Sequence, residues 1–253
     1  RFLELSRSLS ASEVLARLCV ACGLPLSPAA GRVTRWLAGA RGTFAPIVRA
    51  DLSAALVGSL AALDSGVPRD PFHLTGEEAG AMGGEFGPES IWIGRYGEPR
   101  LIYSAPAFRR GAYKGADRRS VHMGVDLFLS AGSSVHAPFD ALVEHVEYRD
   151  DNLDYGGLVV LKHVTPEGDW FSTLYGHLER ETVRHLERGQ RIARGAPFAA
   201  LGALEENGGW APHLHCPLIL DSALVGDQWP GVADRDDLEY RQALCPNPAA
   251  LLN

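Results

Sequence analysis

The stretch WAPHLHCPLIL, residues 210–220, places His213 and His215 one residue apart with only Leu214 between them. On an extended strand successive side chains alternate faces, so residues two apart share a face and stand ~6.6 Å apart. Two imidazoles that close can serve one metal ion or one reacting water. They can equally be a pair of surface histidines on a half-exposed strand. Which reading holds depends on whether the rest of the chain supplies partners and whether this segment is a strand at all.

Outward from it, residues 122–220 break into short apolar runs punctuated by Gly, Pro and Asp: VHMGVDLFL, ALVEHVEY, GLVVLKH, FSTLYGHL, FAALG and HLHCPLIL. Runs of this length between turn residues predict an antiparallel sheet. One helix interrupts it, Arg180 to Arg188, closed by Gly189. Before residue 90 the period is helical. Ser10 and Glu13 make a capping box, after which Val14, Leu15, Leu18, Cys19 and Cys22 line one face up to Gly23. Ser27 and Pro28 open a second helix that ends near Gly39. Leu52 to Leu63 reads as a third, and Thr75 with Glu78 as a further cap. SIWIGRYGEPRLIY predicts a hairpin, Ile91 to Tyr96 against Arg100 to Tyr103, followed by an exposed basic loop, AFRRGAYKGADRRS. Near the other end, VADRDDLEY reads as a solvated acidic face. The fold class is α+β: an antiparallel β-sheet core preceded by a mostly helical N-terminal region.

Composition bounds the function classes. The 253 residues are 46% hydrophobic and 22% charged, an ordinary globular composition with room for one large domain or a core plus a smaller unit. A formal net charge of −7 argues against nonspecific nucleic-acid binding, which rests on a basic face. No run reaches the ~18–20 apolar residues of a membrane-spanning helix. Because the chain begins at Arg1 rather than Met, it is expected to be a fragment or a processed chain. Cys19 and Cys22 form a CxxC inside a helical pattern without a second pair, and read as buried structural thiols; Cys216 and Cys245 stand alone.

Among nine histidines, His122 forms HxxxD with Asp126 in VHMGVDLF. Four residues of straight strand span ~13 Å, too far for one ion, so the chain must bend between them, and Gly124 is the residue that permits it. His177 lies in TLYGHLER, where a strand ends at Gly176. Two histidines and one aspartate would give zinc three protein ligands and leave a fourth position for water, with two further histidines available for protons and charge. His136, His145, His163 and His185 carry no motif and read as structural, and nothing singles out His73.

HMGVD, LYGHL and PHLH, in that order, resemble the signature of the zinc endopeptidases of the lysostaphin and LytM type. AGSSVHAPFDALV, GLVVLKH and GQRIARGAPFAALG are similar to that family's intervening segments, with Ala141 where glycine is usual. The resemblance covers roughly residues 120–220. It implies a Zn²⁺ cofactor held by His122, Asp126 and His215, with His177 and His213 as catalytic non-ligand histidines. It divides the chain into a helical N-terminal region or linker (1–89), a zinc-peptidase-like β domain (90–225) and a C-terminal tail (226–253).

Two features depart from the family. Cys216 and Pro217 follow the HxH where an aromatic and an acidic or amide residue are common. The loop Ala203–Pro212 is longer than in secreted members and suits a mobile, acidic lip, with Trp210 either burying its ring in the core, the favoured reading, or packing over a substrate backbone. IGRYGEPRLIY, LDYG, ENGGWAPHLH and WPGVA also resemble the peptidase-like central module of large bacterial fusions, which sits between kinase-like phosphotransferase and class III aminotransferase domains. The expected function is zinc-dependent hydrolysis of amide bonds, as a metalloendopeptidase acting on glycine- or D-amino-acid-containing peptides such as those of peptidoglycan. The alternative is a non-hydrolytic metal-binding or docking module of such a fusion. The partner implied is a peptide or other amide substrate, with no nucleic acid and no membrane span. The compartment would be the cell envelope for the first reading and the cytoplasm for the second.

Overall fold

The computed structural model describes residues 9–58, 60, 91–108, 119–225 and 229–252. The capping box opens the first helix, α1 (Ala11–Ala21): the Glu13 N–H donates to the Ser10 hydroxyl at 3.2 Å, and the Ser10 N–H donates to the Glu13 carboxylate at 2.9 Å. A cap of this kind is worth about 1 kcal/mol. The face it buries is not the leucine stripe. Ala16 and Val20 are buried, whereas Leu15 and Leu18 are 63% and 59% exposed. Cys22 is exposed and Cys19 half-buried, which corrects their reading as buried thiols. Arg17 lies toward the C-terminal segment: it pairs with Asp237 and its guanidinium lies 4.0 Å from the centre of the Tyr240 ring.

The second helix, α2 (Pro28–Gly39), follows its Ser27 cap and buries Ala30, Val33 and Leu37. Its Trp36 stands edge-on to Phe44 and Phe139, with ring centres at 5.7 and 5.4 Å. The expected third helix does not form. Asp51 caps a single 3₁₀ turn, Leu52–Ala54, and the chain then enters strand β1 (Leu56–Gly58), paired in parallel with β2 (Trp92–Gly94). Residues 59 and 61–63, like the Thr75–Glu78 cap, fall outside the described residues. The expected hairpin is also replaced. Leu101–Ser104 is a 3₁₀ turn, and residues 97–100 bond to the segment around His122 instead, through Gly97 N–H to the His122 carbonyl and Arg100 N–H to the Ser120 carbonyl.

The remaining elements are β3 (Arg119–His122), β4 (Val125–Phe128), β5 (Ser134–His136), β6 (Ala141–Arg149), β7 (Gly156–Val164), β8 (Trp170–Leu178), α3 (Arg180–His185), β9 (Arg191–Ile192), β10 (Pro197–Ala200), β11 (His213–Cys216), β12 (Leu218–Ile219), β13 (Val232–Asp234) and α4 (Leu238–Leu244). The main sheet runs β1-β2-β4-β11-β8-β7-β6-β9, with β12 also on β8; β5 pairs β10 and β3 pairs β13. Apart from the parallel β1–β2 edge, the described pairs are antiparallel. Leu158 to Leu161 in β7 are each 0% exposed. A strand covered on both faces explains why GLVVLKH reads as a continuous apolar run, each side chain contributing roughly 1.5–3 kcal/mol by burial.

The C-terminal segment is not a solvated face. Val232 lies opposite His122, the Gly231 carbonyl accepts from the Met123 N–H at 2.9 Å, and Tyr240, Leu244 and Cys245 are buried. Its acidic residues are partly spent in pairing, since Asp237 takes both Arg17 and Arg241.

Candidate metal centre

β11 lies between β4 and β8, and its register puts His215 opposite Asp126 on one side and Gly176 on the other. His213 and His215 therefore share a face, while Leu214 and Cys216 turn into the hydrophobic core. The third residue arrives by the expected bend between β3 and β4. Gly124 is needed there for space rather than for its backbone angles: a Cβ would stand 2.8 Å from His215 Cε1 and 3.1 Å from the Pro217 nitrogen.

Three donor atoms converge as a result. His122 Nε2 is 3.1 Å from Asp126 Oδ1 and 2.9 Å from His215 Nδ1, and His215 Nδ1 is 2.9 Å from Asp126 Oδ1. Donors of a tetrahedral zinc at 2.0–2.1 Å stand about 3.3 Å apart, so this triangle fits such an ion with little adjustment. Among the described residues it is the one group of three or more His, Cys, Asp or Glu side chains able to hold a metal. The His122 Nδ1–H donates to the Arg95 carbonyl at 2.8 Å, which leaves Nε2 as the lone pair facing the triangle. Burial pushes the His215 imidazole down to about 4 and lowers His122, which keeps both neutral and able to donate a lone pair. Burial alone would raise the Asp126 carboxyl, but the Arg100 guanidinium paired with it helps to hold it well below the usual range.

Arg100 is the residue that sequence reasoning missed. It is buried, and its guanidinium donates to Asp126 Oδ2 at 2.5 Å and to Glu98 Oε2 at 3.2 Å. Glu98 is itself buried and accepts from the Leu60 N–H at 2.9 Å. Engaging Oδ2 leaves Oδ1 as the oxygen presented to the two imidazoles. Gly94 leaves room for the guanidinium, since a Cβ there would stand 2.9 Å from Arg100 Nη2.

His177 and His213 stand beside this triangle, ring centres 4.2 Å apart. Each Nδ1–H is tied to a carbonyl, His177 to Asn207 at 2.9 Å and His213 to Ala211 at 2.7 Å, so each Nε2 carries the free lone pair. His213 Nε2 is 3.8 Å from Asp126 Oδ1. Burial lowers both imidazoles, His177 most strongly because His213 and His215 add to it. His177 lies within β8 rather than past its end, at a φ of +64° that side chains rarely adopt.

The loop Ala203–Pro212 is not a free lip. Asn207 is 0% exposed, its amide donates to the Gly202 and Trp210 carbonyls, and Glu206 accepts from the Arg180 N–H. Trp210 is half-buried, donates from Nε1 to the Asp154 carbonyl at 3.2 Å, and lines the recess over the histidines. The other described histidines lie apart from that recess. His163 bonds to Asp140 and Thr173, His145 to Glu147 and His185 to Glu181. His73 falls outside the described residues.

Residues 120–225 match the model of peptidase family M23, a span that holds all five histidine and aspartate positions and leaves Arg100 outside it. A protein of Haemophilus influenzae described as an uncharacterized metalloprotease is 36% identical over 104 residues, 41% of this chain and 20% of that protein. The chain thus spans about a fifth of that relative's length. Among solved structures, it is similar to a zinc-containing peptidase of Vibrio cholerae, with a TM-score of 0.33 and 23% identity over 49% of this chain and 35% of that one. It is also similar to the catalytic domain of the antimicrobial peptidase lysostaphin from Staphylococcus simulans, with a TM-score of 0.35 and 17% identity over 58% of this chain and 90% of that one.

Proposed function

We propose that the chain, whose residues 120–225 match the model of peptidase family M23, is a zinc-dependent hydrolase of peptide amide bonds. The observation that carries the reading is the set of three donor atoms within 3.1 Å of one another, beside two imidazoles whose Nδ1 atoms are already committed to carbonyls. His122 Nε2, Asp126 Oδ1 and His215 Nδ1 would hold the ion. When bound, zinc supplies Lewis-acid chemistry toward a water and an amide carbonyl.

The chain's own residues do the rest. His213 Nε2 accepts a proton from the attacking water, and the Ala211 carbonyl steadies the imidazolium that forms by holding Nδ1–H. His177, its ring aimed by the Asn207 carbonyl and centred 4.2 Å from that of His213, presents a second Nε2 lone pair that can take up a proton in turn and, once protonated, donate to the carbonyl oxygen as charge builds there. Arg100 keeps the Asp126 carboxylate turned toward His122 and His215. Glycine- or D-residue-containing peptides are the substrate class; small groups flanking the scissile bond suit a recess of about 80 Å³.

Two sets of variants test this. His122→Ala, Asp126→Ala and His215→Ala should each strip zinc from purified protein, and full zinc retention in all three overturns the ligand assignment. His177→Ala and His213→Ala should keep zinc while amide hydrolysis falls ~10²–10⁴-fold. Unchanged turnover in both would remove them from the chemistry.

A further inference from the structure

We infer that the site, if it hydrolyses amides as proposed above, acts on a small molecule of dipeptide or N-acyl-amino-acid size and excludes a peptide that runs through as a continuous strand. All five centre residues are nearly closed off: His122 and Asp126 are 1% exposed, His213 and His215 4%, and His177 7%. Aromatic rings cover the histidine pair, with Phe128 stacked on His213 at 4.8 Å, Tyr155 at 5.9 Å from His177, and Trp210 at 5.7 and 6.1 Å from the two. Above them the segment 101–108 forms a roof. Ile102, Tyr103, Ala105 and Phe108 make a separate apolar cluster that packs against Leu153, Trp210 and Val232.

The two loops that carry Leu153 and Trp210 are bonded to each other as one wall. The Leu153 N–H donates to the Gly208 carbonyl at 2.8 Å, and Trp210 Nε1 donates to the Asp154 carbonyl at 3.2 Å. At Gly208, which has a φ of +88°, a Cβ would stand only 2.1 Å from the Asp154 oxygen, so the two loops meet backbone to backbone. The space left is about 80 Å³, whereas pockets for larger ligands run to ~300–1,000 Å³. A strand lying across the surface cannot bring an internal amide past this roof to His213. A short molecule entering end-on can. In the reaction the water oxygen joins the acyl carbon, the C–N bond breaks and the nitrogen leaves with a proton, giving one carboxylate and one amine small enough to depart by the same opening.

Calorimetry on the zinc-loaded full chain separates this inference from the hydrolase reading beneath it. The probes are a phosphinic isostere of glycylglycine and the same isostere at the centre of a hexapeptide. The short probe should bind at least roughly tenfold more tightly, and Phe108→Ala with Trp210→Ala should narrow that gap by opening the roof. Equal affinity for the two probes in the unaltered chain overturns the inference, whether or not any amide is cleaved. Selective binding of the short probe without hydrolysis of any short peptide leaves the inference standing and removes the hydrolase reading.

Discussion

His163 makes the fold sensitive to acid in a way that can be worked out in advance. It is 1% exposed and stacked on Phe171 at 4.9 Å. Its Nδ1–H donates to the Asp140 carbonyl at 3.1 Å, leaving Nε2 to accept from the Thr173 hydroxyl at 2.7 Å. Burial pushes its imidazole down from 6.5 to about 4. Above pH ~6.5 neither the folded nor the unfolded chain protonates this residue, and it makes no pH-dependent contribution. As pH falls through the window to ~4 the unfolded chain takes up a proton that the folded chain refuses, so stability is lost. The loss amounts to about 2 kcal/mol at about pH 5 and approaches about 3 kcal/mol below the folded value. His163→Gln removes the titration while retaining a polar group. Urea unfolding of both proteins at about pH 7.5 and about pH 5 should show the gap between their stabilities shifting by about 2 kcal/mol in favour of the variant at the lower pH. Because every other titrating group is common to the two proteins, parallel curves across that range would refute the reasoning.

Two further outcomes follow from the centre's supports. Arg100→Met leaves Glu98 and Asp126 buried without their cation and should destabilise the metal-free protein by roughly 3–5 kcal/mol, with Arg100→Lys recovering only part; unchanged urea midpoints would show that the pair holds nothing. Gly124→Ala forces a Cβ toward His215 Cε1 and should weaken zinc affinity by about 10–100-fold in competition with a chelator, and unaltered affinity would show that the bend can absorb the methyl group.

The candidate triangle was legible chiefly because HMGVD, LYGHL and PHLH together resemble one family signature; the HxH spacing alone also admitted a pair of surface histidines, and HxxxD called for a bend that straight strand geometry does not supply. Arg100 had no such mark. It lies 22 positions before His122, in a segment whose alternation reads as a hairpin, and only the pairing of residues 97–100 with β3 brings it to Asp126. Helix α1 misleads for a related reason. Its larger apolar side chains predict the buried face, but Ala16 and Val20 face inward instead, on the side where Arg17 meets Asp237, and neither partner across the fold is visible from the helix's own spacing. The acidic run near the C-terminus was read from charge alone, and charge does not reveal that Tyr240 and Leu244 sit behind it or that Asp237 has two arginines to meet.

The backbone at His177 carries a consequence for how this chain can evolve. Its left-handed angle costs about 1–2 kcal/mol in any residue with a Cβ, and it persists because the His177 N–H donates to Tyr155 while its carbonyl accepts from Gly202. Glycine would relieve the strain and keep both backbone bonds, but it would delete the imidazole. Selection on stability alone therefore acts on position 177 in two directions, since glycine trades the backbone strain for a cavity and an unpaired Asn207 carbonyl where the buried imidazole stood. Histidine is held there by its packing as well as by its chemistry, so the strained angle is kept by the fold and not only by the site.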